Sequence, residues 1–417
     1  MWRSLWYVLL VGHIFAPTAS PASDPMPLQE SKHLFRNVPS IYQHDGRHMV
    51  IALQNFGFAN RMRTLASFLQ LSSRLGRRLH VAWIKTKDCG SAWDDLFARP
   101  TLPSGRAYHN GMYFDIFEGD EERLITNINN RSLTTELKGM SLNLGSPYYT
   151  DAAELHTIVL HHQGWFKILG EPCMSYLVKK SHFYQTLRPV PAVQNVVDHV
   201  WDSSLVGNVV VGVHVRATKQ ENDWPSVAYD GTFLSFDEVA PLEQIYARMK
   251  EVWEFRPNVK FYVASNDGSV KSALMDSFPR GVCFGIRLQE GSLVRDTTEG
   301  IQMAVAEFIL LSRTELVVHT FGSSFAQEAS FLGRVPELLI RKGGDVFHSN
   351  DYATPACHHS SMKYIDGSVE RSQTTGLPRN KPFPFDLTAP GEVSVSLCKF
   401  LKARWGIAFA YCLATDE

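Results

Sequence analysis

The sequence predicts an α/β protein of two lobes, each built on a doubly wound parallel sheet. Three observations predict it. Runs of β-branched and aliphatic residues alternate with stretches of helical period, the pattern of a parallel sheet with crossover helices. Several runs, such as Val209-Val-Val-Gly-Val213, are apolar throughout, as strands covered on both faces are. Polar or glycine-bearing turns follow the runs at their carboxyl ends, where open α/β sheets bind ligands. A chain of 417 residues has room for about two domains of ordinary size.

In the first lobe the pattern predicts a strand over 48–53, a turn over 54–61 containing Gly57, and a helix over 62–75. Met62, Leu65, Phe68, Leu69, Leu71 and Leu75 give that helix its apolar stripe, and Gly76 stops it. A strand over 79–84 completes a βαβ unit with a right-handed crossover. A short turn over 94–97, strands over 112–117 and 157–160, and a helix over 174–187 follow. Pro189 and Pro191 then break the chain and mark the boundary between lobes 40–190 and 191–345.

The second lobe reads as helix 193–201, strand 209–215, helix 242–253, strand 259–264, helix 270–278 and strand 281–285. Helix 299–312, strand 316–319, a helix from 326 to 332 and a last strand 337–340 complete it. Beyond it, 346–417 reads as an irregular segment rich in Ser, Thr, Pro and His, closed by a helix over 393–413. His358-His359 in that segment has no further ligands at useful spacing, so it reads as a surface pair and not a metal site.

With 41 basic and 42 acidic residues the formal net charge is −1, which argues against a nucleic-acid partner. Residues 1–22 carry one early charge, a short apolar core and small residues, the pattern of a secretory signal peptide, with a short signal anchor as the alternative. Membrane attachment therefore depends on that segment being retained. The expected location is the lumen of the secretory pathway (Golgi or ER) or the exterior. There Asn130-Arg-Ser132 is a glycosylation sequon, and some of Cys89, Cys173, Cys283, Cys357, Cys398 and Cys412 are expected in disulfides. No Cys-x-x-Cys pair indicates zinc.

Four groups fall at carboxyl ends of predicted strands: Asn60/Arg61, His214/Arg216, Asn266/Asp267 and Gly322/Ser323/Ser324. Arg216 closes a buried run and is the side chain best suited to gripping a phosphate with two donors. Its alternative is a strand-end ion pair with a carboxylate. The turn Thr320-Phe-Gly-Ser-Ser324 precedes a helix, where backbone N–H groups and hydroxyls suit an anion; its alternative is an ordinary helix cap. Together the two groups read as a diphosphate site. Glu307 lies in an otherwise apolar helix, where it meets a nucleobase edge, pairs with an arginine such as Arg295 or Arg313, or merely reaches solvent.

These blocks resemble those of the α1,6-/α1,2-/O-fucosyltransferase superfamily. His214-Val-Arg216, the Asn-Asp turn, and Glu307 leading to Thr320-Phe-Gly-Ser-Ser324 stand in the family's order. Gly57-Phe-Ala-Asn-Arg61 is similar to its glycine–asparagine–arginine turn, and Trp83, Cys89 and Asp95-Leu-Phe97 are similar to a plant cell-wall run. The resemblance implies a GT-B-like pair of Rossmann-type lobes with a cleft between them. It also implies GDP-fucose as donor, a glycan or glycoprotein acceptor, and metal-independent transfer with inversion. By carry-over, Arg216 holds the β-phosphate, Ser323 or Ser324 assists it, and His214, Asp267 and Glu307 contact the nucleotide, Glu307 where the family has Asp. Asn60 and Arg61 would lie near donor or acceptor. Ala217 replaces a second Arg of the α1,6 members and Trp224 replaces their Glu, so Glu221 and Asp223 are the substitute candidates for a base. The alternatives are a same-fold transferase using another nucleotide sugar and an inactive glycan-binding protein.

Overall fold

The computed structural model describes residues 48–53, 56–74, 77–98, 114–117, 141–142, 157–160, 167–168, 180, 183–184, 186–217, 226–229, 232–286, 294–348, 362–364, 399–400 and 404. They form two compact units, one reaching Val190 and including Arg295–Thr298, the other made of the remainder. Outside the described residues lie the 1–22 segment, the sequon, the histidine pair, Glu221, Asp223, Trp224 and four of the cysteines. Cys89 and Cys283 are both buried free thiols. No described helix is long and apolar enough to cross a membrane.

The first unit contains β1 (His48–Leu53), α1 (Phe58–Arg74), β2 (Arg78–Trp83), β3 (Phe114–Phe117), β4 (Ser141–Leu142), β5 (Thr157–Leu160) and β6 (Lys167–Ile168). Its main sheet has the order β3-β2-β1-β5 and is parallel throughout, while β4 and β6 pair separately. The helix starts at Phe58, immediately after Gly57, and so absorbs part of the expected turn; the Arg61 N–H donates to the Gly57 carbonyl at 3.2 Å in its first turn. Thr64, Ser67 and Ser72 are buried in α1, yet each hydroxyl donates to a carbonyl one turn back. That back-bonding lets a Ser/Thr-rich helix be buried without orphaned hydroxyls.

The second unit contains α2 (Pro191–Val200), a π turn (Trp201–Leu205), β7 (Val210–Val215), β8 (Ser226–Tyr229), β9 (Thr232–Ser235), α3 (Phe236–Val239) and α4 (Leu242–Phe255). It continues with β10 (Lys260–Ser265), α5 (Gly268–Asp276), β11 (Cys283–Phe284), α6 (Thr298–Ser312), β12 (Leu316–Thr320), α7 (Ser324–Gly333), β13 (Glu337–Ile340), β14 (Val346–His348) and β15 (Met362–Tyr364). The sheet order is β11-β10-β7-β12-β13-β14-β15, parallel as far as β13. Successive crossovers run outward from β7 on one side, then restart on the other at β12.

The two faces of this sheet differ. Val211, Val213, Phe261, Val263, Leu316, Val318 and Leu338 form an apolar face, packed in one core with Ile245, Met249 and Val252 of α4. Those three helix residues stand four and three positions apart, one stripe of an amphipathic helix. The opposite face carries Tyr262, His214, His319 and Glu337, in register with Gly212, Ala264, Val317 and Leu339. Gly212 interrupts the valine run for a packing reason. A Cβ there would stand 2.9 Å from Thr314 Oγ1 and 3.0 Å from Leu311 Cδ2, where the end of α6 lies against β7.

Two features were not expected. The region from 346, read as irregular, instead supplies β14 and β15, which pair antiparallel on the outer edge of β13. The open edge of β13 has backbone donors and acceptors that need partners, and an antiparallel edge on a parallel sheet is a common solution. The β8–β9 hairpin was overlooked, although its strands are separated only by Asp230-Gly231, a strong two-residue turn signal. It delivers the chain to Ser235, which caps α3 in a capping box with Glu238. From the expected terminal helix, Phe400 is buried against the apolar core, its ring 5.1 Å from that of Phe255.

Gly212→Ala is expected to lower stability by about 1–3 kcal/mol through overpacking against Thr314 and Leu311. Urea denaturation checks this; an unchanged midpoint would mean that α6 does not press on β7 as described.

Candidate functional site

The strand order of the second unit reverses between β7 and β12, so the connections leaving their carboxyl ends diverge to opposite sides. Ligands of open α/β sheets bind at such a point because the diverging loops leave room there. The structure places His214 and Arg216 at the end of β7, and Gly322, Ser323 and Ser324 just beyond β12.

The local sequence explains the turn after β12. The Ser323 N–H donates to the Thr320 carbonyl at 3.2 Å, closing a four-residue turn with Gly322 at φ +80° in its third position. A positive φ there favours glycine. Ser323 is the N-cap of α7, its hydroxyl accepting from the Ala326 N–H, and the same oxygen lies 3.2 Å from His214 Nδ1. The His214 ring also lies against Phe325, centroids 5.2 Å apart. His214 and Ser323 are 4% and 3% exposed, and half-buried Ser324 is the more reachable serine.

Arg216 is half-buried, its guanidinium carbon 5.6 Å from the centre of the Phe236 ring. Phe236 is the first residue of α3, so the Ser235–Glu238 capping box sets the ring on which the arginine rests. Hydrogen bonds from Ser235 hold the Glu238 carboxyl below its ordinary range. Two further contacts hold the backbone at Arg216. Its N–H donates to Thr320 Oγ1 at 3.0 Å. The Asn266 side chain brackets the next residue, accepting from the Ala217 N–H at 2.8 Å and donating to the Ala217 carbonyl at 2.9 Å. In the sequence Asn266 stands at a strand end without a task, and Thr320 reads only as the first residue of the turn. A hydroxyl ending the run Leu316-Val-Val-His-Thr320 was the available signal.

Two carboxylates expected at the nucleotide have other employment. Asp267 caps α5, its Oδ1 accepting from the N–H groups of Ser269 and Val270 at 2.8 and 3.1 Å. Glu307 is buried and paired with Lys271, not with Arg295 or Arg313, and Lys271 Nζ also donates to the Ile286 carbonyl at 2.8 Å. Burial pushes the Glu307 carboxyl up, against the pull of Lys271. Burial, with Glu307 nearby, also raises the Tyr262 hydroxyl well above its usual range. Lys271 was missed, although it stands one turn before Leu274 on the buried side of α5. Farther along this face, His319 Nδ1 donates to the Thr320 carbonyl at 2.9 Å and its Nε2 lies 3.0 Å from Glu337.

In the first unit, order reverses between β1 and β5, and Asn60 and Arg61 sit in the opening turn of the helix that follows β1. Arg61 is 1% exposed and spends its guanidinium on the carbonyls of Phe56 and Ile84 and the hydroxyl of Thr86. It also lies over the Trp83 ring at 5.2 Å, so it ties the loops after β1 and β2 together. Asn60 is only half-buried, and its Oδ1 has no hydrogen-bond partner among the described residues. That oxygen is itself buried, so neither member of this pair presents a hydrogen-bonding atom shown open to solvent.

Among the described residues no group of three or more His, Cys, Asp or Glu is placed to hold a metal ion. A cleft of about 400 Å³ lined by Trp201, Arg313, Glu315 and Arg334 opens at the amino-terminal edge of the second sheet, away from the switch point.

No protein-family model and no curated protein matches this chain. Among solved structures it is similar to fucosyltransferase NodZ from Bradyrhizobium, at 14% identity and a TM-score of 0.45 over 73% of this chain and 99% of that one. It is similar to a mutant of Arabidopsis thaliana FUT1 in complex with GDP, at 14% identity and 0.46 over 77% and 83%. POFUT1 in complex with GDP is similar at 11% identity and 0.40 over 72% and 99%.

Lys271→Met alone strands a buried carboxylate and is expected to cost about 3–5 kcal/mol, whereas Lys271→Met combined with Glu307→Leu should recover most of the loss. Denaturant melts of the three proteins check this. Equal stability of the single and double variants would contradict a buried pair.

Proposed function

We propose that this chain is a fucosyltransferase-like glycosyltransferase moving fucose from GDP-fucose to a glycan or glycoprotein acceptor. The observation that carries the proposal is the β7/β12 switch point, where an arginine and the capped N-terminus of α7 arise from adjacent strand ends. Two of the sequence blocks that resemble the fucosyltransferase superfamily, His214-Val-Arg216 and Thr320-Phe-Gly-Ser-Ser324, fall at that point.

In this reading the acceptor oxygen attacks C1 of the sugar as the C1–O bond to the β-phosphate breaks, and the centre inverts. GDP leaves with the bonding electron pair. Arg216 offsets the negative charge growing on the β-phosphate, and the N–H groups opening α7 and the Ser324 hydroxyl add donors. Glu221 or Asp223 takes the acceptor proton. No metal ion has a role. The chain works in the lumen of the secretory pathway or outside the cell, attached to a membrane only if its first segment is retained.

The Glu307–Lys271 pair favours a second reading, a same-fold transferase whose nucleotide sugar carries a base other than guanine. With Glu307 committed to Lys271, the carboxylate expected to read guanine is already satisfied.

Calorimetric titration with GDP, UDP and ADP separates the readings, and GDP is expected to bind tightest. Arg216→Ala should weaken it by about 10- to 100-fold, the effect of losing hydrogen bonds to a charged group, and should abolish transfer from labelled GDP-fucose. Tighter binding of UDP would sink the guanine assignment. Binding of none of the three would leave an inactive glycan-binding protein.

A further inference from the structure

We propose that Thr320 and Asn266 are positioning residues for Arg216, holding the backbone on either side of it so that its side chain starts from a fixed point. The inference rests on the reading of Arg216 as a diphosphate ligand. It adds two residues to which that reading assigned no task.

Arg216 is the first residue beyond β7, where the ladder to β10 and β12 ends. Backbone groups at such an end need substitute partners or water. Here side chains of both flanking strands supply them. From the β12 side, Thr320 Oγ1 accepts the Arg216 N–H. From the β10 side, the Asn266 amide both accepts from and donates to Ala217, reproducing with one side chain the two bonds of a further strand residue.

The residue types match the task. Aspartate at 266 could accept from the Ala217 N–H but could not donate to its carbonyl. Valine at 320 would keep the shape of a fully buried threonine while removing the acceptor. Thr320 also opens the turn that sets Ser323 at the head of α7. One hydroxyl therefore ties the arginine arm to the helix N-terminus that completes the proposed anion site. The long Arg216 side chain has many rotamers of its own. A clamp at its root, with Phe236 beneath the guanidinium, removes part of that freedom before a ligand arrives.

The test compares Thr320→Val, Thr320→Ser and Asn266→Leu with the wild-type chain by amide hydrogen exchange, by titration with GDP and inorganic diphosphate, and by the kinetics of transfer. Thr320→Val is expected to speed exchange at the Arg216 amide by roughly ten-fold or more, and to weaken GDP by about ten-fold, as the loss of a buried hydrogen bond does. Thr320→Ser, which keeps the oxygen, should restore both. Asn266→Leu, which removes both the acceptor and the donor, should speed exchange at Ala217 and weaken GDP in the same way. A merely structural role would lower the melting temperature and leave the GDP affinity of the folded protein at the wild-type value. That result, or unchanged exchange at Arg216 and Ala217, overturns the proposal. If wild type binds neither GDP nor diphosphate, the functional reading falls and takes the positioning role with it. The exchange rates then decide whether the clamp exists at all.

Discussion

Everything in the second unit that bears on chemistry depends on the reversal of strand order between β7 and β12. Two parallel neighbours end side by side, and their chains leave in opposite directions. Among the described residues no crossover covers the gap, and the terminal backbone groups of both strands are satisfied locally. The chain meets that need with small polar side chains: Thr320 on Arg216, Asn266 on Ala217, and Ser323 on the first turn of α7. An apolar sheet core thus ends in a rim of fixed hydrogen-bonding groups.

The same sheet is asymmetric through its thickness. One face closes on α4 with apolar contacts, aliphatic and aromatic, where each fully buried Val or Leu contributes about 1.5–3 kcal/mol. The other holds the Lys271–Glu307 pair, the His319–Glu337 contact and the His214–Ser323 contact, all buried. Buried pairs of this kind add little net stability, because desolvating both charges offsets their attraction. Their effect is on geometry: α5 is tied to α6, and β12 to β13, at single points. The apolar face supplies the stability that allows the other face its polar groups.

Much of this was legible. The uninterrupted apolar runs gave the buried parallel strands, and Pro, Gly and polar turns gave the strand ends at which Arg216 and the Gly322-Ser323-Ser324 turn stand. The roles of single residues were not legible, because they are decided by partners distant in sequence. Asn266 and Ala217 are 49 positions apart, Lys271 and Glu307 are 36 apart, and Thr320 and Arg216 are 104 apart. No periodicity connects such residues. Arg61 shows the limit most clearly: an arginine after a glycine turn reads as a ligand, and burial makes it a brace across two loops. The strands at 346–348 and 362–364 escaped for another reason, since three-residue edge strands are shorter than any period that could announce them.

Glu307 bears on how a nucleotide could be recognised. A carboxylate reads a guanine edge by accepting two N–H donors, which requires an ionised, reachable acid. Here burial pushes the proton affinity up, and the nearest donor is a lysine of the same unit that also holds the Ile286 carbonyl. Displacing that lysine would strand a second buried charge, a loss that contacts to a base would have to exceed. The accessible ligand groups in this unit are instead Arg216 and Ser324, with the backbone opening α7, and all of them suit phosphate oxygens. The geometry therefore favours a nucleotide gripped first by its diphosphate. Selection of the base would then fall to groups other than the carboxylate that the sequence had nominated.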